Sequence, residues 1–149
     1  IGPLQSNKTA QAAATFAWVE SVDRLKIAQR LAAQRPDALP PLDVCIEVNV
    51  SGEASKGGVA PADAAALAKA IAALPRLALR GIMGIPAPTT DGDEQRRQFR
   101  ALRECFDALR ADGHAVDTLS MGMSADLEAA VAEGSTQVRV GTAIFGSRA

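Results

Sequence analysis

Two short runs near the C-terminus decide the fold: Leu119-Ser120-Met121-Gly122-Met123-Ser124-Ala125-Asp126, and Gln137-Val138-Arg139-Val140-Gly141-Thr142-Ala143-Ile144-Phe145-Gly146. Each reads as a strand running into a turn of small residues, and a short helical run separates them. Consecutive strands of a parallel sheet put their following turns side by side at one end. Gly141 lets backbone approach a ligand closely, and Ser124 and Thr142 add hydroxyl donors. The loops after the last two strands of (β/α)8 barrels commonly hold phosphate. These turns therefore read as a phosphate cradle, with Arg139 pointing in beside it. The plain alternative is two ordinary strand-to-helix turns whose small residues serve packing alone.

Upstream the same alternation continues. Phe16–Val22 is expected as a strand, and a helix follows with Asp23 as its N-cap. Asp43–Val50 is the clearest strand, with Val44, Ile46, Val48 and Val50 on one face and Cys45, Glu47 and Asn49 on the other. A polar loop, Ser51–Gly58, follows it. A helix from Pro61 buries Leu67, Ile71 and Leu74. Leu77–Ile85 is a strand whose Gly81 and Gly84 permit close approach. A helix over Asp93–Ala111 carries Phe99, Leu102, Phe106 and Leu109, and Gly113 ends it. Thr118–Met123 and Gln137–Val140 are the last strands. Leu127, Ala130 and Val131 are expected to face inward from the helix between them.

Strand–helix repetition implies a mainly parallel sheet with every strand's C-terminal end on one face. Asn7-Lys8, Ser55-Lys56, Met83-Gly84, Ser120–Ser124 and Gly141-Thr142 all fall on that face. Their coincidence is a stronger signal than any one motif. Five strands suit either an open doubly wound sheet or the last five of a (β/α)8 barrel. The chain opens on Ile1-Gly2, which reads as the end of a strand. That favours the barrel, and the C-terminal part of a longer protein, residues 1–149 forming one domain incomplete at its N-terminus.

The totals fit a globular domain: 149 residues, 48% hydrophobic, formal net charge −1. Such a charge leaves no footprint for nucleic acid or an anionic membrane, and no apolar run matches a membrane span. Cys45 and Cys105 lack metal-ligand spacing and read as reduced thiols, which points to the cytoplasm. His114 is the one histidine and lies in a loop beside Gly113, so nucleophilic catalysis through it is disfavoured.

These blocks resemble a known family. Ile1–Lys8, the strand end Val48–Ser51 with Glu53 and Ser55-Lys56-Gly57, Gly81–Met83 with Ile85-Pro86, Leu119–Asp126 and Gly134–Gly146 are similar to the pyridoxal phosphate homeostasis proteins (YggS-type). The likeness runs in order to Arg148. It implies a (β/α)8 barrel like the N-terminal domain of alanine racemase, here its last five strands, binding pyridoxal 5′-phosphate (PLP) at the strand C-terminal ends. It also implies roles. Ser124, Gly141 and Thr142 hold the phosphate, Arg139 faces the pyridine nitrogen, and Asn7, Met83 and Ser120 line the ring pocket. The family's Schiff-base lysine ends its first strand, and no lysine here matches it. The chain is therefore expected to lack the covalent anchor. Lys8 and Lys56 lie on the correct face, as secondary imine sites or as solvated and electrostatic lysines.

Arg139 bears on reaction type. A guanidinium keeps its proton, so it donates to the ring nitrogen and leaves it unprotonated, which weakens the ring as an electron sink. The alternative is that Arg139 pairs with a carboxylate such as Glu47. Barrel racemases take a tyrosine base from a second domain, and this chain has no tyrosine. The resulting expectation is a PLP carrier that buffers the cofactor with no catalytic residue and no metal. A PLP-dependent racemase or lyase and an open phosphate-binding α/β module remain as alternatives. A partial barrel also leaves two open edges and an uncovered apolar interior. The expectation is a monomer when intact, and an edge-paired dimer or aggregate otherwise.

Overall fold

The computed structural model describes residues 1–53 and 56–146. Five strands form one parallel sheet: β1 (Trp18–Val22), β2 (Leu42–Glu47), β3 (Leu77–Met83), β4 (Thr118–Met123) and β5 (Gln137–Arg139). Their spatial order is β1-β2-β3-β4-β5, the order of the chain. A doubly wound sheet reverses its order at a switch point, and this one does not. The sheet is an arc of a (β/α)8-type barrel, as the strand–helix alternation implies.

The helices are α1 (Thr9–Thr15), α2 (Leu25–Gln34), α3 (Ala64–Ala72), α4 (Gly92–Ala111), α5 (Leu127–Ala132) and α6 (Thr142–Phe145). The long ones cover the convex face. Ile27 and Leu31 of α2, Leu67 and Ile71 of α3, and Phe99, Leu102, Phe106 and Leu109 of α4 share one core with Val19, Val44, Ile46, Ile82, Leu119 and Met121. Each strand residue in that set alternates with one that faces the concave side.

Two glycines set how closely the layers approach. A Cβ on Gly81 would lie 1.8 Å from the Thr118 carbonyl oxygen, and its φ of +153° is itself unfavourable for other residues. A Cβ on Gly122 would meet that of Ala130 at 2.4 Å, so α5 rests directly on β4. A buried guanidinium ties the first half together. Arg35 Nη1 donates to the carbonyls of Ala13 and Phe16 at 2.6 and 2.7 Å, and Nε to that of Pro40 at 2.9 Å.

Several local expectations change. Asp23 does not cap α2: Arg24 is the N-cap residue, and its guanidinium holds the Asp23 carboxylate at 2.7 Å. Asp91 caps α4, accepting from the N–H groups of Asp93 and Glu94. Val131 is 56% exposed, because the six-residue α5 turns only Ala130 fully inward. β2 ends at Glu47 and β3 at Met83, earlier than the apolar runs suggest. Most unlike the expectation, the concave face is not an uncovered apolar wall. It carries Glu20, Asp43, Glu47, Arg80, Ser120, Gln137 and Arg139, with Cys45 and Met83 buried among them.

Candidate functional site

Ladder register builds the site. Glu47 of β2 pairs with Met83 of β3, and Met83 with Ser120 of β4. Ser120 pairs with Gln137, and Met123 with Arg139, across β4 and β5. Side chains in register across a parallel ladder share a face. Met83, Ser120 and Arg139 are thus brought to the upper part of the concave face, toward the strand C-terminal ends.

The polar groups there form a continuous chain. Ser120 Oγ donates to Glu20 Oε2 at 2.6 Å and accepts from Arg139 Nη1 at 2.6 Å. Gln137 Nε2 donates to Glu20 Oε1 at 2.6 Å. Arg139 Nη2 donates to the Gly84 carbonyl at 2.9 Å. Arg139 Nη1 lies 3.9 Å from Glu20 Oε2, with the two side chains 10% and 9% exposed. Arg139 therefore does pair with a carboxylate, and that carboxylate is Glu20 rather than Glu47. Burial draws the Arg139 pKa down, while Glu20, Asp126 and Glu47 hold it up. Guanidinium pKa values start high enough that Arg139 remains a cation at neutral pH. Glu47 is pushed above the usual carboxylate range, first by burial and then by Asp23, with Arg139 opposing.

The two small-residue turns meet. Ser124 Oγ accepts from the Ala143 N–H at 3.2 Å, which joins the β4–α5 turn to the head of α6. Asp126 Oδ1 closes the first turn by accepting from the Met123 N–H at 2.6 Å. Ser124, Thr142 and Ala143 line an open cavity of about 540 Å³, with Lys56, Ile85, Pro86 and Met123 among its other walls. Gly141 directly precedes Thr142. Lys56 Nζ donates to the Pro86 carbonyl at 2.8 Å and lies 3.9 Å from a Glu53 carboxylate oxygen. The loop bearing it is braced by Asn49, whose amide donates to the Glu53 carbonyl at 2.9 Å and whose oxygen accepts from the Gly52 N–H at 3.0 Å. Ser55 of that loop and Arg148 lie outside the described residues.

Asn7 and Lys8 are placed differently. Both are exposed, in the 3-10 turn Ser6–Lys8 that leads into α1. Arg30 of α2 holds this turn through the Ser6 carbonyl at 2.9 Å. No hydrogen bond among the described residues joins Asn7 or Lys8 to the Ser120–Arg139 chain. His114 lines a shallow hollow with Lys69 and Asp112, beyond the C-terminal end of α4. Glu20 and Gln137 are the functional candidates that the sequence reading missed. The available signal was two polar side chains on short strands, each in register with the face that carries Ser120.

Comparison with known proteins places this geometry. The family model described as alanine racemase, N-terminal domain, matches residues 1–149. The chain belongs to that family. Within it, the chain is 61% identical over 148 residues to the pyridoxal phosphate homeostasis protein of Pseudomonas aeruginosa, covering 99% of this chain and 63% of that one. The chain thus spans less than two thirds of the length of the curated relatives it matches. A crystal structure of an unknown protein from Bifidobacterium adolescentis superposes with a TM-score of 0.91 at 42% identity, over 97% of this chain and 59% of that one. PipY of Synechococcus elongatus, solved with PLP bound, superposes with a TM-score of 0.84 at 35% identity, over 98% and 68%. The alanine-racemase-type fold expected from the sequence is therefore the fold of its relatives. Cys45 and Cys105 are free thiols. Among the described residues, no helix is long and apolar enough to cross a membrane, and no cluster of side chains could hold a metal.

Proposed function

We propose that this chain holds pyridoxal 5′-phosphate at the C-terminal ends of its strands, as part of a cytoplasmic protein that buffers the cofactor rather than one that uses it catalytically. The observation that carries the reading is the Ser124 Oγ to Ala143 N–H contact at 3.2 Å. It unites two turns whose hydroxyls and backbone suit a phosphate. The donor set fits the rest of the molecule as well: a cationic guanidinium one layer inward suits a heteroaromatic nitrogen. The naming of the relatives and the PLP-bound PipY structure support the same ligand.

In this reading Ser124, Gly141 and Thr142 hold the phosphate. Arg139 donates to the ring nitrogen, and Met83 packs against the ring. Ser120 backs Arg139, and Asn7, as the resemblance implies, completes the rim. Lys56 adds positive charge beside the phosphate, while Lys8 stays solvated. The bound cofactor supplies an aldehyde and an electron-accepting ring. Arg139 keeps its own proton and leaves the ring nitrogen as an acceptor, so the protein does little to strengthen that ring as a sink. Racemisation needs a base on each face of the substrate. The one histidine of this chain, a candidate for such a base, lies at the opposite end of α4 from this site. A carrier is the better account than a racemase or lyase. The strand edges of β1 and β5 carry no further strand among the described residues, so copies of this chain alone associate along them.

Trp18 is the single tryptophan, on β1 below Glu20, and reports binding by fluorescence. PLP quenches it, and pyridoxal, which lacks the phosphate, binds at least about tenfold more weakly. Equal affinity for the two ligands overturns the phosphate assignment. Rapid exchange of α-deuterium from an amino acid in the presence of PLP overturns the non-catalytic reading.

A further inference from the structure

We infer that Glu20 is the positioning residue for Arg139: a carboxylate on the first strand that reaches across the concave face and fixes how the guanidinium on the last strand is presented. The inference rests on the proposed role of Arg139 toward a ring nitrogen, and it extends that role to a residue nothing above assigns to binding.

β1 and β5 are the two edge strands of the sheet and share no ladder. Even so, Gln137 of β5 donates to Glu20 of β1 at 2.6 Å, across 117 residues of chain. The sheet must curl tightly for that contact to form, so Glu20 spans the interior. Its second oxygen takes the single proton of Ser120 Oγ at 2.6 Å. The same hydroxyl accepts from Arg139 Nη1. Ser120 therefore has no proton left to offer a ligand. It transmits the carboxylate's hold on the guanidinium.

The consequence for Arg139 is geometric. Nη1 is fixed through Ser120 and Nη2 through the Gly84 carbonyl. A guanidinium is planar, so two anchors set the direction of its remaining N–H bonds. Glu20 and Arg139 are both nearly enclosed, where water screens a pair weakly. Together they are close to neutral. Such a pair selects an uncharged acceptor by the direction of a hydrogen bond more than by charge, which is what an unprotonated pyridine nitrogen offers. Without Glu20, Ser120 turns freely, Gln137 loses its acceptor and the guanidinium keeps a single anchor at Gly84.

The test compares PLP with its 1-deaza analogue, in which carbon replaces the ring nitrogen. The two are titrated against the unaltered chain, Glu20→Ala and Glu20→Gln, following Trp18. The unaltered chain prefers PLP by about tenfold, the worth of one charge-assisted hydrogen bond. Glu20→Ala brings the preference below about twofold and leaves affinity for the analogue within about twofold. Glu20→Gln, which retains an acceptor for Ser120, falls between them. A purely structural role for Glu20 would weaken both ligands alike. A second measurement needs no ligand. Nitrogen-15 spectra of the Arg139 guanidinium show separate Nη signals in the unaltered chain and merged, rotationally averaged signals in Glu20→Ala. Should Glu20→Ala fail to fold, Glu20→Gln carries both comparisons. A preference retained in the variants overturns the inference, as do equal losses for both ligands or unchanged Arg139 spectra. If the unaltered chain binds both ligands equally, the ring-nitrogen reading fails, and the Arg139 spectra alone decide the role of Glu20.

Discussion

Arg80 and Arg139 both lie on the concave side of the sheet and are treated in opposite ways. Arg80, toward the strand N-terminal ends, is clamped by both oxygens of Asp117 and by Asp43 at 3.4 Å, and its guanidinium stacks on Trp18 at 5.1 Å. Two carboxylates face one cation, and three of its five N–H bonds are spent on them. Arg139, toward the C-terminal ends, shares one carboxylate through a hydroxyl and spends its other anchor on a carbonyl. Arg80 is 33% exposed in its side chain, and Arg139 10%. An arginine whose charge is met by two carboxylates, and which water reaches, closes one end of the arc, and an enclosed one with a single carboxylate neighbour through a hydroxyl waits at the other. Charge alone does not mark a site: what distinguishes Arg139 is that its remaining N–H bonds lie in a place that water hardly reaches.

The comparison breaks hardest at the residue between the two layers. Gly81→Ala puts a methyl 1.8 Å from the Thr118 carbonyl and forces β3 from β4 beneath both arginines. Its expected cost is about 4 kcal/mol or more, enough to unfold a domain of ordinary stability, read as loss of the urea transition. Next come the arginines themselves. Arg139→Ala leaves Glu20 enclosed without its cation and costs about 3 kcal/mol. Arg80→Ala, at a pair that water and salt screen, costs clearly less than Arg139→Ala. Urea denaturation of the two variants side by side checks this, and equal losses would remove the distinction drawn between them. Ser124→Ala is smaller still. It removes the acceptor of the Ala143 N–H, costing about 1 kcal/mol in stability. PLP affinity falls about tenfold with it, measured by Trp18 fluorescence.

The helix-facing half of this molecule was legible in the sequence, because it is written in local periodicity. Thr118–Met123 forms the strand its pattern implies, and α4 begins one residue before the expected Asp93 and ends at the expected Ala111. The small-residue turns were legible too, since Gly141, Thr142 and Ser124 announce themselves by type. The concave face was not. Ser120 and Glu20 are 100 residues apart, and no short-range pattern pairs them. The alternative in which Arg139 pairs with a carboxylate finds its nearest sequence candidate in Glu47, on a clear strand, whereas the fold supplies Glu20 from a strand only five residues long. Arg35 hid for a related reason: its partners are backbone carbonyls, which carry no side-chain signature. Asn7 and Lys8 are drawn toward the pocket by the family likeness and by their place on the face of the strand C-terminal ends, and the turn that carries them is held to α2 by Arg30.

The finest test of the two layers is their response to pH, because a carboxylate in each titrates in the opposite sense. Asp117, 58% exposed in its side chain, is held below the usual aspartate value by its hydrogen bonds to Arg80. A depressed folded-state pKa contributes stability above the unfolded value near 3.8, and that contribution disappears as pH falls through the folded value. Asp117→Asn therefore lowers Tm at pH 7, and its deficit shrinks toward pH 3 and in high salt, which screens an exposed pair. Glu47 is raised, above all by burial. A raised folded-state pKa favours the folded state below the unfolded value near 4.5, and the advantage is lost as pH climbs through the folded value. Glu47→Gln therefore raises Tm at pH 7 by about 2 °C or less, and the gain vanishes toward pH 4. Salt changes it little, because its leading cause is burial rather than a screened neighbour. Melting curves of both variants between pH 3 and 7 give slopes of opposite sign if the lower layer is an ion cluster that water reaches and the upper one an enclosed site. Parallel slopes would mean that the two ends of the arc share one electrostatic character, and the division between them would not stand.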